Sequence, residues 1–179
     1  MTRVRNPKVK GMKFVLTRLD TEPAPQVVYF SAKGPNPISP GVLKPDILAP
    51  GVDVLAAVSP ILPYMQVKKY YLASDYALMS GTSTATPHVD GFGALLKALH
   101  PEWSPAAIQS AIMTTAYAKD IIGTILKGQR TGLSATPLHF GAGYINPNKA
   151  MDPGLRAAQQ NLGPKVKILY GAFLYVNIN

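Results

Sequence analysis

The segment Ser80-Gly81-Thr82-Ser83-Thr84-Ala85-Thr86-Pro87-His88-Val89-Asp90-Gly91 constrains this chain more than any other, because small and hydroxyl residues give way directly to an apolar helical pattern. Tyr76 to Met79 before it reads as a short buried strand and Ser80 to Thr82 as a tight turn. Ser83 to Leu99 is predicted as a helix that turns Val89, Phe92, Leu95, Leu96 and Leu99 inward. Such a strand-turn-helix unit places Ser83 in a first helical turn. There the unpaired amides and the positive end of the macrodipole favour negative charge, on a reacting serine oxygen or on an oxyanion beside it. Gly81, Gly91 and Gly93 lack Cβ atoms and so admit close approach of other backbone. The competing reading is structural, with Ser80, Thr82 or Ser83 acting only as a helix cap.

The order of residues within the segment separates these readings. Gly81 to Gly91 resembles the serine motif of the subtilisin-like proteases (subtilases, peptidase family S8), in the plant, cucumisin-like branch, departing at Thr84, Thr86 and Asp90. Phe30-Ser-Ala-Lys-Gly-Pro-Asn36, Leu43-Lys-Pro-Asp-Ile-Leu-Ala-Pro-Gly51, Leu95 to Ala116, Phe140-Gly-Ala-Gly143 and Asn146 to Gly154 resemble further signatures of that branch, in the same order. The resemblance spans about Phe14 to Leu155. It implies that Ser83 is the catalytic nucleophile and that Gly81, Thr82, Pro87, His88 and Gly91 support it. The implied reaction is hydrolysis of peptide bonds in protein or peptide substrates. The implied fold is α/β, a partial subtilisin-like fold with a mainly parallel sheet flanked by helices and without its N-terminal strands.

A serine hydroxyl needs a general base and a group to orient that base. In subtilisin the chain order is Asp, His, Ser, so both partners are expected before Ser83. The three histidines are His88, His100 and His139, all after it. The family's aspartate and histidine motifs and its oxyanion-hole asparagine are not found upstream; Asn6 and Asn36 stand in other contexts. His88 lies five positions beyond Ser83, about 500° around an ideal helix, and is expected to be structural rather than the base. His100 precedes Pro101 at a helix end, where it can meet the last carbonyls. His139 departs from the family's usual aspartate and is no candidate. Asp46, Asp53 and Asp75 are read as turn or solvated groups.

The chain therefore reads as the later half of a catalytic domain, expected to be inactive alone. The alternatives are a non-catalytic remnant or interaction module, which pairs with a complementing protease fragment, and a truncated version of a full-length secreted protease. Residues 1–20, with a strand signal at Met12 to Leu16, are read as the remnant of a protease-associated insert, 21–155 as the catalytic half, and 156–179 as a divergent tail with one or two exposed strands. Short strands are expected at Val27 to Phe30, Asp46 to Leu48 and Val52 to Ala57, and an exposed loop at Val58 to Asp75. Trp103, Ser104 and Pro105 open a second helix: Ser104 caps it, Pro105 takes its first position, Trp103 staples onto Ile108, and Ile108, Ala111, Ile112 and Thr115 face inward.

The formal net charge of +9 raises the possibility of a nucleic-acid ligand. The basic residues cluster at Arg3 to Arg18 and otherwise scatter, with no zinc spacing, RNA-binding strand signature or basic helix, so no nucleic-acid partner is expected. No metal or cofactor is expected either, since no His and carboxylate spacing matches a transition-metal site. Absence of cysteine says nothing of compartment. The chain begins without an apolar signal segment and has no long apolar run, so membrane insertion is not expected. The resemblance implies an extracellular or vacuolar protein.

Overall fold

In the computed structural model, residues 23–154 are described; the expectations for residues 1–20 and 156–179 lie outside them. Ten elements follow in order: β1 (Gln26–Val27), β2 (Val54–Ala57), β3 (Met65–Val67), β4 (Tyr70–Leu72), β5 (Tyr76–Met79), α1 (Thr82–Leu99), α2 (Pro105–Thr114), β6 (Lys127–Gly128), α3 (Pro137–Phe140) and α4 (Pro147–Ala150).

The centre is an extended segment, Asp46 to Ala49, whose side chains alternate between two cores as a period of two requires. Ile47 and Ala49 face α1 and α2 and pack with Val89, Phe92, Leu96 and Ile112. Leu48 faces the other way, into a cluster with Val27, Leu126, Ala135 and Phe140. The segment is held by Leu48 N–H donating to Gly143 O at 2.8 Å and Ile145 N–H donating to Leu48 O at 2.8 Å. The strand expected at Asp46 to Leu48 is thus a single parallel bridge, Leu48 to Tyr144.

The mainly parallel sheet is a correction. Among the described residues the ladders form three two-stranded sheets. β1 and β6 are parallel, whereas β2–β5 and β3–β4 are antiparallel. The predicted loop at Val58 to Asp75 contains the β3–β4 hairpin, with Lys68 in the left-handed region (φ 56°) at its turn. β5 occurs where the sequence places it but is not a buried strand. Ala77 is its buried residue, while Tyr76, Leu78 and Met79 are exposed.

The helices follow their local signals. Ser104 Oγ accepts from Ala107 N–H at 3.2 Å and Pro105 occupies the first position, where a missing N–H is harmless. Trp103 is buried, with Ile108 at the margin of the same cluster. His100 stacks on Trp103, ring centroids 3.8 Å apart, and its Nε2 donates to Met151 O at 2.9 Å, so its ring serves α4 rather than the end of its own helix.

On α1 the buried arc is Ala85, Val89, Phe92 and Leu96; Leu95 and Leu99 are exposed, contrary to the helical reading. Leu96→Ala is therefore expected to lower unfolding free energy by about 2–5 kcal/mol through lost burial and a residual cavity. Leu95→Ala should change it by no more than about 0.5 kcal/mol. Urea denaturation of the two variants checks both values.

Asp120 organises the loop after α2. Its buried carboxylate accepts from Thr124 Oγ1 at 2.6 Å, Thr124 N–H at 2.8 Å and Ile122 N–H at 3.2 Å. The Thr124 hydroxyl above all holds this carboxyl below the usual aspartate range. A carboxyl depressed on folding stabilises the fold above its unfolded pKa of about 3.9, and that contribution is lost as pH falls through the folded value. Asp120→Asn is expected to remove this component. Its stability deficit relative to the parent should be full near neutrality and shrink in acid, as read from denaturant midpoints at successive pH values.

Candidate active site

The turn before α1 is tied to the start of β2. Gly81 N–H donates to Gly51 O at 2.8 Å, Asp53 N–H donates to Ser80 Oγ at 2.9 Å, and Ser80 Oγ donates to Asp53 Oδ1 at 3.2 Å. Asp53, one of the aspartates read as turn or solvated groups, bends the chain just before β2 with φ 50°, so the strand expected from Val52 begins at Val54. The antiparallel β2–β5 pair, in register Val54 to Met79, completes a platform from which α1 starts.

Gly81 is the N-cap of α1, and no side chain caps the helix. Thr84 and Ala85 amides already bond the Gly81 carbonyl at 3.1 and 3.2 Å. Ser83 lies at the second helical position and is exposed. Among the described residues, neither its hydroxyl nor its backbone N–H has a hydrogen-bond partner. With no acidic residue in the first turn, an oxyanion here would meet a free amide and an uncompensated helix dipole. The capping role weighed for Ser83 has no hydrogen bond to carry it.

The other motif residues surround this arrangement. Thr82 is the first residue of α1, and its carbonyl accepts from Thr86 Oγ1 at 3.1 Å. Pro87 lies inside the helix and lacks the amide that would bond the Ser83 carbonyl. His88 is exposed, and its Nδ1 donates to Thr84 O at 3.2 Å, bonding its own helix rather than Ser83. The room expected at the glycines is present but unused by this chain. A Cβ on Gly91 would meet nothing within 4 Å, and one on Gly81 or Gly93 would make ordinary contacts.

His100 and His139 are committed elsewhere. His100 joins Trp103 and Met151, and His139 Nδ1 takes bonds from the Thr136 amide at 3.2 Å and hydroxyl at 2.8 Å. The described residues hold no group of three or more His, Cys, Asp or Glu side chains able to bind a metal ion. No helix among them is long and apolar enough to cross a membrane.

A serine exposed in the first turn of a helix, behind a short strand, is a mounting that serine hydrolases use for the nucleophile. The chain matches the subtilase family over residues 4–146. It is 49% identical over 139 residues to subtilisin-like protease SBT1.5 of Arabidopsis thaliana, an overlap that covers 78% of this chain and 18% of that protein. Against subtilisin-like protease SBT3 of Solanum lycopersicum it is 51% identical over 143 residues, 79% of this chain and 19% of the other. Subtilisin-like protease SBT3.3 of Arabidopsis thaliana is 47% identical over 146 residues, with coverage of 81% and 18%. This chain belongs to the subtilase family, an α/β family of serine peptidases, and spans less than a fifth of the length of these relatives.

Proposed function

We propose that this chain is the nucleophile-bearing segment of a subtilisin-like serine endopeptidase, in which Ser83 attacks the carbonyl carbon of a peptide bond. The observation that carries the reading is the free hydroxyl and free amide of Ser83 at an uncapped, acid-free helix start. The hydroxyl proton passes to a base, the Ser83 N–H donates to the developing oxyanion, and collapse expels the amine, which takes that proton from the base. Water then releases the acyl group and regenerates Ser83. The base and its orienting aspartate come from outside residues 23–154, since the hydrogen bonds of the described histidines go to Thr84, Met151 and Thr136 rather than to Ser83. The substrate is protein or peptide, and the proposed setting is a longer, secreted protease of which this chain forms part.

Fluorophosphonate labelling followed by intact mass tests this reading. The 179-residue chain alone is expected to label no faster than its Ser83→Ala variant. A chimera in which this chain replaces the matching segment of the tomato relative is expected to take up one equivalent, and none after Ser83→Ala. A folded chimera that stays unlabelled, or one labelled equally in both forms, would overturn the assignment.

A further inference from the structure

A second feature lies away from Ser83. A cleft of about 400 Å³ opens where the parallel strands β1 and β6 end. Val28 and Tyr29, just past β1, and Gln129 to Thr131, just past β6, line it. The size is that of a small-molecule pocket.

Its chemistry is one-sided. Leu133, exposed and backed by the buried Val27, Val28 and Ala135, supplies an apolar wall, Lys33 and Arg130 supply two positive charges, and no carboxylate lines the cleft. Neither cation is in an ion pair with a described residue. His139 stands in the same lining, and the two bonds its Nδ1 accepts from Thr136 leave the proton on Nε2, a further donor. Partial burial and then the charge of Lys33 push the His139 imidazolium to lower pKa, so the positive field is felt within the cleft.

We propose that this cleft binds a carboxylate carrying an apolar body, with Arg130 and Lys33 on the carboxylate and the Leu133 side on the apolar part. The guanidinium fork matches a planar carboxylate in two parallel bonds. An inorganic dianion would leave the apolar wall unused. Since Ser83 is not among the lining residues, the site is independent of the proteolytic reading. Its ligand is a free organic acid or the C-terminal residue of a peptide.

The test is an NMR titration of the 179-residue chain with 4-phenylbutyrate and with its uncharged amide, 4-phenylbutanamide. The acid is expected to saturate and to raise the pKa of His139, as an anion beside an imidazolium must. The amide should bind at least tenfold more weakly. Lys33 and Arg130 are exposed, so Lys33→Gln with Arg130→Gln should keep the fold and weaken the acid at least tenfold. Ser83→Ala should leave binding unchanged. Acetyl-Ala-Phe, compared with its C-terminal amide, separates the sources. Binding of this peptide as tightly as 4-phenylbutyrate assigns a peptide terminus, and binding of 4-phenylbutyrate alone assigns a free acid. Equal binding of acid and amide, no binding of either acid to a chain with dispersed resonances, or an unaffected double variant would overturn the proposal.

Discussion

Gly141→Ala is expected to leave no folded protein. Gly141 has φ 61°, a conformation that L side chains adopt with strain, and a Cβ there would run into the carbonyl oxygens of Pro45 and Asp46. Those carbonyls cannot retreat. Asp46 O accepts the Ala142 N–H at 2.9 Å, and the next residues, Ile47 and Leu48, are buried in opposite cores. Moving the segment to admit a methyl group would displace both clusters, so a loss of more than about 4 kcal/mol is expected, in the range reserved for broken cores. Gly132→Ala supplies the control. Gly132 has φ 65° but nothing within 4 Å of an added Cβ, so strain alone should cost about 1–2 kcal/mol. Thermal unfolding followed by circular dichroism separates the two. Similar, mild losses in both variants would mean that the Asp46 to Leu48 segment is not the fixed wall between the cores.

What was legible in the sequence is what neighbouring residues decide. The Ser104 cap on Ala107, Pro105 at the first position of α2 and the first amides of α1 bonding the Gly81 carbonyl rest on interactions within a few positions. The inner face of α1 was misread because a helical wheel shows only where apolar side chains point, not which arc a neighbour covers. The Ile47–Ala49 wall and α2 cover a band from Ala85 to Leu96, and Leu95 and Leu99 fall outside it. The β3–β4 hairpin was open to detection. Tyr64 to Val67 and Tyr70 to Leu72 are short β-prone runs separated by two residues, while Pro60, Pro63 and Lys68-Lys69 give the same stretch the composition of a loop. The parallel pairing of Gln26 with Lys127 was beyond reach, since no local signal joins residues so far apart. The cleft at their ends was hidden with it. The serine site was legible as a motif, whereas the freedom of the Ser83 amide and hydroxyl emerged only once the bonds of Ser80, Thr84 and Ala85 were placed.

The second large effect is kinetic and separates a nucleophile from a cap at the same residue. In the chimera with the tomato relative, Ser83→Ala is expected to lower kcat for a peptide substrate about a millionfold, the size of loss established for subtilisin itself rather than obtained from this geometry. A residue acting as an N-cap would behave differently, losing about 1 kcal/mol of stability on conversion to alanine with little effect specific to the chemical step. Ser83 is exposed and makes no hydrogen bond among the described residues, so its alanine variant should unfold within about 0.5 kcal/mol of the parent. Ser80 supplies the contrast. Its hydroxyl joins Asp53 through two bonds, at 2.9 and 3.2 Å, and holds the turn that presents Ser83. Ser80→Ala is therefore expected to reduce stability by about 1 kcal/mol. It should lower kcat far less than the Ser83 variant, because the nucleophile and the oxyanion donor both remain. Denaturation midpoints and single-turnover acylation rates, measured on both variants, give a crossed pattern if Ser83 reacts and Ser80 positions. A Ser83→Ala protein that is destabilised but acylates at the parental rate would assign Ser83 to structure and move the chemistry elsewhere.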